Sequence, residues 1–191
     1  MLPVALLSGG MAVRMMPYTE HKPKAMLIVD GKPFIEHQLS LLGKRGIERV
    51  VLCVGHMGKA IEDFVGDGSR FHLEARYSYD GNTLLGTGGA IMKALKYLSD
   101  PFFVMYGDSY LDIDYNSVED AYRNTELPYK GLMTVYRNED KWDMSNALFE
   151  GGRVLAYSKK SGASKMKHID FGLGILSKQV FLPYQEYQER R

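Results

Sequence analysis

The stretch LLSGGMAVRMMPYTEHKPKAM, residues 6–26, closes a short apolar strand (roughly Pro3 to Leu7) and leaves it through Ser8-Gly9-Gly10. Paired glycines after a strand let backbone N–H groups approach an anion with no Cβ in the way. Arg14 follows with a planar fork that matches phosphate oxygens. Lys24 adds a compact point charge later in the same loop, and Pro17 and Pro23 stiffen the path between the two cations. The combination suits a polyphosphate, yet it is not a Walker loop, because GxxxxGK[ST] is absent. Residue types alone leave a second option open, a glycine turn followed by solvated charges.

Working outward, short apolar runs alternate with helical patterns, which predicts an α/β sheet with parallel strands. Met26 to Val29 reads as a short strand closed by Asp30-Gly31. Lys32-Pro33 then opens a helix with Ile35, Leu39 and Leu42 on one face. Gly46 suits its cap. Arg49 to Val54 is a buried strand, Ala60 to Val65 a helix, and Phe71 to Tyr77 another strand. Gly86-Thr87-Gly88-Gly89 enters a helix that buries Ile91, Ala94, Leu95 and Leu98. Phe102 to Tyr106 is a strand running into Gly107-Asp108, and a helix follows Asp114. From Leu132 onward the pattern changes to strands at 132–136, 147–149, 154–157 and 171–176, with a Gly151-Gly152 turn. The plan is one domain over 1–191, with a parallel half (about 1–125) and a more antiparallel half (about 126–191).

Several residues carry chemistry in this plan. Asp108 sits at the carboxyl end of a strand, the edge where open α/β sheets bind ligands. A carboxylate there suits Mg²⁺ shared with phosphate oxygens, though it equally suits a turn. Asp112-Ile113-Asp114 is a DxD triplet, but Asp114 better fits a helix cap. LLGTGGA (84–90) fails the dinucleotide fingerprint, since Ile91 replaces the last glycine. It can instead form a flat backbone wall at a helix start. Lys159, Lys160 and Asp170 form a second polar group, each also acceptable as a surface charge. Cys53 reads as core and Trp142 as a pocket wall or loop anchor. The five histidines have no matched nucleophile, which argues against Ser-His-Asp or Cys-His chemistry.

Bulk properties narrow the class. The 191 residues are 45% hydrophobic and 25% charged, as in ordinary globular proteins. A net charge of +1 supplies no global field for nucleic acid or acidic membranes, so any anion site is local. One cysteine excludes an internal disulfide and fits a reducing compartment, hence a cytoplasmic expectation. No apolar run reaches the ~20 residues needed to span a bilayer, and MLPVALLSGG lacks the basic start of a signal peptide. Exposed Tyr and Met residues are compatible with a homo-oligomer.

Taken together, the motifs resemble the sugar-1-phosphate nucleotidyltransferase family, which makes NDP-sugars. LSGGMAVRMMPYTEHKPKAM resembles its LxGGxGTRLxPxT loop and PK pair. GKPFIEHQL, LLGTGGAI, VMYGDS, VLAYSKK and HIDFGLG resemble its later segments in the family's order. LLGTGGAI and HIDFGLG lean toward mannose- and heptose-1-phosphate guanylyltransferase-like members. The resemblance implies a Rossmann-like, predominantly parallel mixed sheet flanked by helices. It implies an enzyme that joins an NTP to a sugar 1-phosphate and releases pyrophosphate, with Mg²⁺ as cofactor. Arg14, Lys24 and Asp108 would be catalytic, and Asp108 the metal ligand. Leu7, Ser8, Gly9 and Gly10 would join them in holding the nucleotide, as would Gly86 and Thr87. Asn146, Lys159, Lys160 and Asp170 would hold the sugar phosphate. Three positions depart from the pattern. Ala12-Val13 replaces Gly-Thr, Lys159-Lys160 replaces a Glu-Lys pair, and the pattern's late aspartate has no counterpart before Arg191. The rival functions are a cytidylyltransferase for a non-sugar phosphate such as phosphocholine and a non-catalytic nucleotide-binding relative.

Overall fold

A computed structural model of the chain describes residues 1–125, 130–158 and 165–184. Its elements follow the alternation of the sequence: β1 (Val4–Leu7), β2 (Ile28–Val29), β3 (Lys32–Pro33), α1 (Phe34–Lys44), β4 (Arg49–Val54), α2 (Gly58–Val65), β5 (Glu74–Tyr79), α3 (Gly86–Ala94), β6 (Phe102–Tyr106) and α4 (Tyr115–Arg123). The last third holds β7 (Gly131–Arg137), β8 (Ala147–Glu150), β9 (Arg153–Tyr157) and β10 (His168–Leu176).

Eight of these strands form one mixed sheet in the order β5-β4-β1-β6-β10-β8-β9, with β7 also paired to β10. The first four are mutually parallel: Val4 lies opposite Val50 on one side and Phe103 on the other. β10 runs antiparallel to β6, β7 and β8. The expected change from a parallel to an antiparallel half therefore falls at the β6–β10 pairing. Both faces of the parallel part are covered, which is why its strands read as unbroken apolar runs. Val4, Leu6, Val50 and Leu52 pack with Ile35, Leu39 and Leu42 of α1 in one cluster. Ala5, Val51 and Cys53 face the other way, onto Ile91, Ala94 and Leu95. Truncating any of the fully buried aliphatics to alanine costs about 2–5 kcal/mol.

Local differences from the sequence reading have simple causes. Pro33 does not occupy the first helical turn. Its extended backbone (ψ 139°) pairs β3 with β2, and the helix starts at Phe34. Met26 belongs to a 3₁₀ turn over Lys24–Met26, which shortens β2. β5 begins at Glu74 rather than Phe71, because Gly66, Gly68 and His72 all have positive φ and prolong the turn. Asp114 caps α4 as expected, accepting from the Asn116 amide at 3.0 Å.

Candidate active site

In a parallel sheet, the crevice opens where neighbouring strands send their connections in opposite directions. Here that point lies between β1 and β6. β1 leads through α1 to β4, and β6 has arrived from β5 on the far side of the sheet. The Leu7–Gly10 exit and the Gly107-Asp108 turn therefore meet. The Gly107 amide donates to the Leu7 carbonyl at 2.9 Å. A Cβ on Gly107 would sit 2.4 Å from that oxygen, so only glycine fits.

A cavity of about 350 Å³ occupies this crevice. Leu7, Ser8, Gly9, Gly10, Arg14, Lys24, Gly86, Thr87 and Asp108 are among the residues that line it. All nine residues assigned to the nucleotide by resemblance thus surround one space. The Ser8 Oγ is buried and has no hydrogen-bond partner among the described residues. An orphan hydroxyl in a polar cavity is suited to a ligand. Lys24 Nζ donates to Asp108 Oδ2 at 2.7 Å, which joins the two ends of the motif set directly. Both side chains remain partly exposed, so the pair contributes on the order of 0–1 kcal/mol to stability.

The loop that carries Arg14 is built by contacts the sequence does not display. Ala12 adopts φ 49° and ψ 40° ahead of a 3₁₀ turn over Val13–Met15, and its carbonyl accepts from the buried Thr19 hydroxyl at 3.1 Å. Left-handed backbone at a non-glycine residue is uncommon and costly. The chain therefore keeps the conformation of a glycine at this position while carrying a methyl group.

Among the cavity residues that escaped the sequence reading are Asp80 and Cys53. Asp80, at the end of β5, is 8% exposed and lines the cavity. Its Oδ2 accepts from the Leu85 amide at 3.2 Å, which anchors the loop entering α3. Lys93 donates to its backbone carbonyl. Cys53 also lines the cavity. Burial, reinforced by the Asp80 charge, pushes its thiol up to about 12, so it stays protonated and inert at neutral pH. A lone aspartate in YSYDGN carries no spacing signal, and Cys53 hides within an apolar run.

A second cavity of about 570 Å³ adjoins the first, with Thr87 and Tyr106 lining both. Asp170 lies here, placed by a bulge in β10: the register with β7 shifts between Asp170 and Gly174, and Gly172 takes φ +89°. Its carboxylate accepts from Tyr106 Oη (3.0 Å), Tyr157 Oη (3.2 Å) and the Gly172 amide (2.9 Å). Asn146 Oδ1 accepts from the Asp170 amide at 2.9 Å. Burial, then the Asp170 charge, raises the Tyr106 phenol far above its ordinary range. The two aromatic partners of Asp170 are functional candidates that tyrosine-rich composition gave no means to single out. The structure brings Asn146 and Asp170 together, whereas Lys159 and Lys160 lie outside the described residues.

Metal capacity is modest. Among the described residues no three His, Cys, Asp or Glu side chains gather to hold an ion. Asp108 is a partly exposed carboxylate paired with Lys24, whereas the Asp80 carboxylate is buried and engaged with the Leu85 amide. That donor set fits a cation brought by a nucleotide, which takes one or two carboxylates and completes its shell with phosphate oxygens and water.

Comparison with known proteins agrees with this geometry. Residues 4–161 match the family model for nucleotidyl transferases. The chain belongs to the nucleotidyl transferase family. It is 28% identical over 176 residues to the D-glycero-alpha-D-manno-heptose 1-phosphate guanylyltransferase of Campylobacter jejuni, covering 92% of this chain and 76% of that protein. It is 30% identical over 187 residues to the UTP–glucose-1-phosphate uridylyltransferase of Synechocystis, covering 89% and 47%. The chain thus spans about half to three quarters of these relatives. Among solved structures, HddC from Yersinia pseudotuberculosis complexed with GMP-PN superposes with a TM-score of 0.76 at 26% identity, over 94% of this chain and 78% of that one. The same family plan accounts for the mixed sheet. No described helix of this family member is long and apolar enough to cross a membrane.

Proposed function

We propose that this nucleotidyl transferase joins an NTP to a sugar 1-phosphate in the cytoplasm and releases pyrophosphate. The observation that carries the reading is the convergence of the Gly9-Gly10 turn, Arg14, Lys24 and Asp108 on one cavity, with Lys24 and Asp108 in contact. Residues 1–125 supply the nucleotide cavity and residues 126–191 most of the acceptor side. An acceptor phosphate oxygen forms a bond to the α-phosphorus, the bond to the β-phosphate bridge oxygen breaks, and pyrophosphate departs with the electron pair. No proton transfer is needed, because the attacking and leaving oxygens already carry charge. Catalysis is then alignment and charge screening.

Arg14 faces the β- and γ-phosphates and stabilises the charge that grows on pyrophosphate. Lys24, paired with Asp108 on the wall of the smaller cavity, neutralises the α-phosphate and the incoming acceptor. The backbone amides at Gly9 and Gly10 and the Ser8 hydroxyl bind phosphate or ribose oxygens. Gly86 and Thr87 flank the base. Asp108 would hold Mg²⁺, which supplies charge screening between phosphates when bound. Asp170, Asn146, Tyr106 and Tyr157 form the polar wall on the acceptor side, and Lys159 and Lys160 are its candidate cations by sequence.

The test is a matrix of GTP, UTP, dTTP, CTP and ATP against sugar 1-phosphates with Mg²⁺, read as pyrophosphate release. Phosphocholine with CTP belongs in the same panel. Turnover with at least one sugar 1-phosphate is the expected result. Nucleotide binding with no turnover on any acceptor, or turnover on phosphocholine alone, overturns the reading.

A further inference from the structure

Asp108 occupies a corner of a tight turn, and that turn is gripped from outside. The Ser109 amide donates to the Tyr106 carbonyl at 3.1 Å, which closes the four-residue turn Tyr106–Ser109. The Gln38 Nε2 of α1 donates to the carbonyls at both ends of this turn, Ser109 at 2.7 Å and Tyr106 at 3.3 Å. Both partners only accept, so the orientation of the amide is fixed by chemistry. Gln38 is fully buried, and its Oε1 has no partner among the described residues. A core position that keeps a half-satisfied amide at a desolvation cost is doing something an aliphatic side chain would not. Ile35, Leu39 and Leu42, its neighbours on α1, are all apolar and fully buried.

We infer that Gln38 is a positioning residue for Asp108: one amide from α1 clamps both ends of its turn and so fixes where the carboxylate meets Lys24 and the nucleotide's cation. The turn needs such support. Gly107 at its second position has no side chain to pack, and the Asp108 carboxylate is half exposed. On the sheet side the turn is held by the bond from Gly107 to Leu7. The two bonds from Gln38 hold it from the helix side, and the place of that helix is set by buried aliphatics. Gln38 is fully buried and does not line the cavity, so its route to the reaction runs through Asp108.

This inference rests on the proposed reaction, and its test separates the two. Binding of a non-hydrolysable NTP analogue is measured by calorimetry with MgCl₂ and with EDTA, alongside steady-state kinetics and melting curves. The proteins are wild type, Gln38→Met, which keeps volume and removes the donors, and Gln38→Glu, which keeps shape and sets oxygen against the two carbonyls. The expected result is that Mg²⁺ no longer tightens binding in the variants, while the EDTA affinity stays near wild type. In the same variants kcat falls by about 100-fold with little change in the KM for NTP, as a displacement near 1 Å predicts. Equal weakening with and without Mg²⁺ would mean that the whole cavity is disturbed, and it overturns the inference. So does unchanged kcat with an unchanged Mg²⁺ effect, or the unfolding of both variants, which would make Gln38 a core residue only. A wild type that neither binds Mg·NTP nor turns over removes the proposed function first and this inference with it.

Discussion

At the residue scale, the site separates stability from activity. The Lys24–Asp108 pair is partly exposed, and such pairs add on the order of 0.2–1 kcal/mol. In the proposed reaction the same two groups face the phosphates, where one lost electrostatic contact costs about 100- to 1,000-fold in rate. Lys24→Ala and Asp108→Ala should therefore each lower kcat for pyrophosphate release by about 100-fold or more. Their urea midpoints should stay close to wild type. A variant with normal turnover removes its residue from the mechanism. Ala12 works in the opposite direction. Its φ of 49° is one that glycine adopts freely and alanine does not. Ala12→Gly should stabilise the fold by up to about 1 kcal/mol, the strain relieved less the added freedom of the unfolded chain. Chemical denaturation checks this, and a clear loss of stability would show that the methyl group earns its place by packing. The meeting of Arg14, Lys24 and Asp108 at one cavity was legible in the sequence, because cations and a carboxylate beside paired glycines restrict residue type. Asp80, Tyr106 and Tyr157 were not, because their roles come from meeting partners far along the chain.

At the element scale, strands and helices were legible wherever burial imposes a period, as for Ile35, Leu39 and Leu42 of α1. Boundaries failed where the backbone turns on positive φ, as at Gly66, Gly68 and His72 before β5. The bulge in β10 was equally hidden, since the stretch 171–176 reads as an ordinary strand, whereas in the fold a Cβ on Gly172 would meet Ser109 and Tyr106. α4 offers a prediction at this scale. Its first residue, Tyr115, is 1% exposed, stacks edge-on against Phe103 and donates to the Leu111 carbonyl at 3.1 Å. Burial pushes its phenol up to about 12, against about 10 in an unfolded chain. The folded state thus keeps a proton that the unfolded chain releases. This contribution to stability is complete below pH about 10 and drains away as the pH rises from there through about 12. Tyr77 and Tyr79, both also raised to about 12, act in the same direction. The urea midpoint should decline across that window, and Tyr115→Phe should decline less steeply from a lower starting value. A parallel decline in both proteins would show that Tyr115 ionises as freely folded as unfolded.

At the scale of the whole molecule, the sheet order brings the carboxyl ends of the parallel strands to one cavity. β1, β4, β5 and β6 are parallel, so Leu7, Cys53, Asp80 and Tyr106 all arrive at their carboxyl ends together. That arrangement follows from alternating strand and helix patterns and was readable in advance. The pairing of β10 with β6, β7 and β8 was not, since no period in the sequence says which strand an antiparallel one will join. The consequence is that the smaller cavity, proposed for the nucleotide, is walled by segments from residue 7 to residue 108, and the larger, proposed for the acceptor, by segments from residue 87 to residue 176. A ligand in the first cavity ties together β1, β6, the Arg14 loop and the start of α3, so it stabilises the native state by mass action. At a hundredfold excess over Kd the gain is about 2.7 kcal/mol. For a chain of this size that corresponds to a rise in melting temperature of about 5–10 °C. The preferred NTP with Mg²⁺ should produce this shift in the wild type. In Asp108→Ala the Mg²⁺-dependent part should vanish while the part seen in EDTA remains. An equal shift in both proteins with Mg²⁺ present would show that the cation does not reach the protein through Asp108.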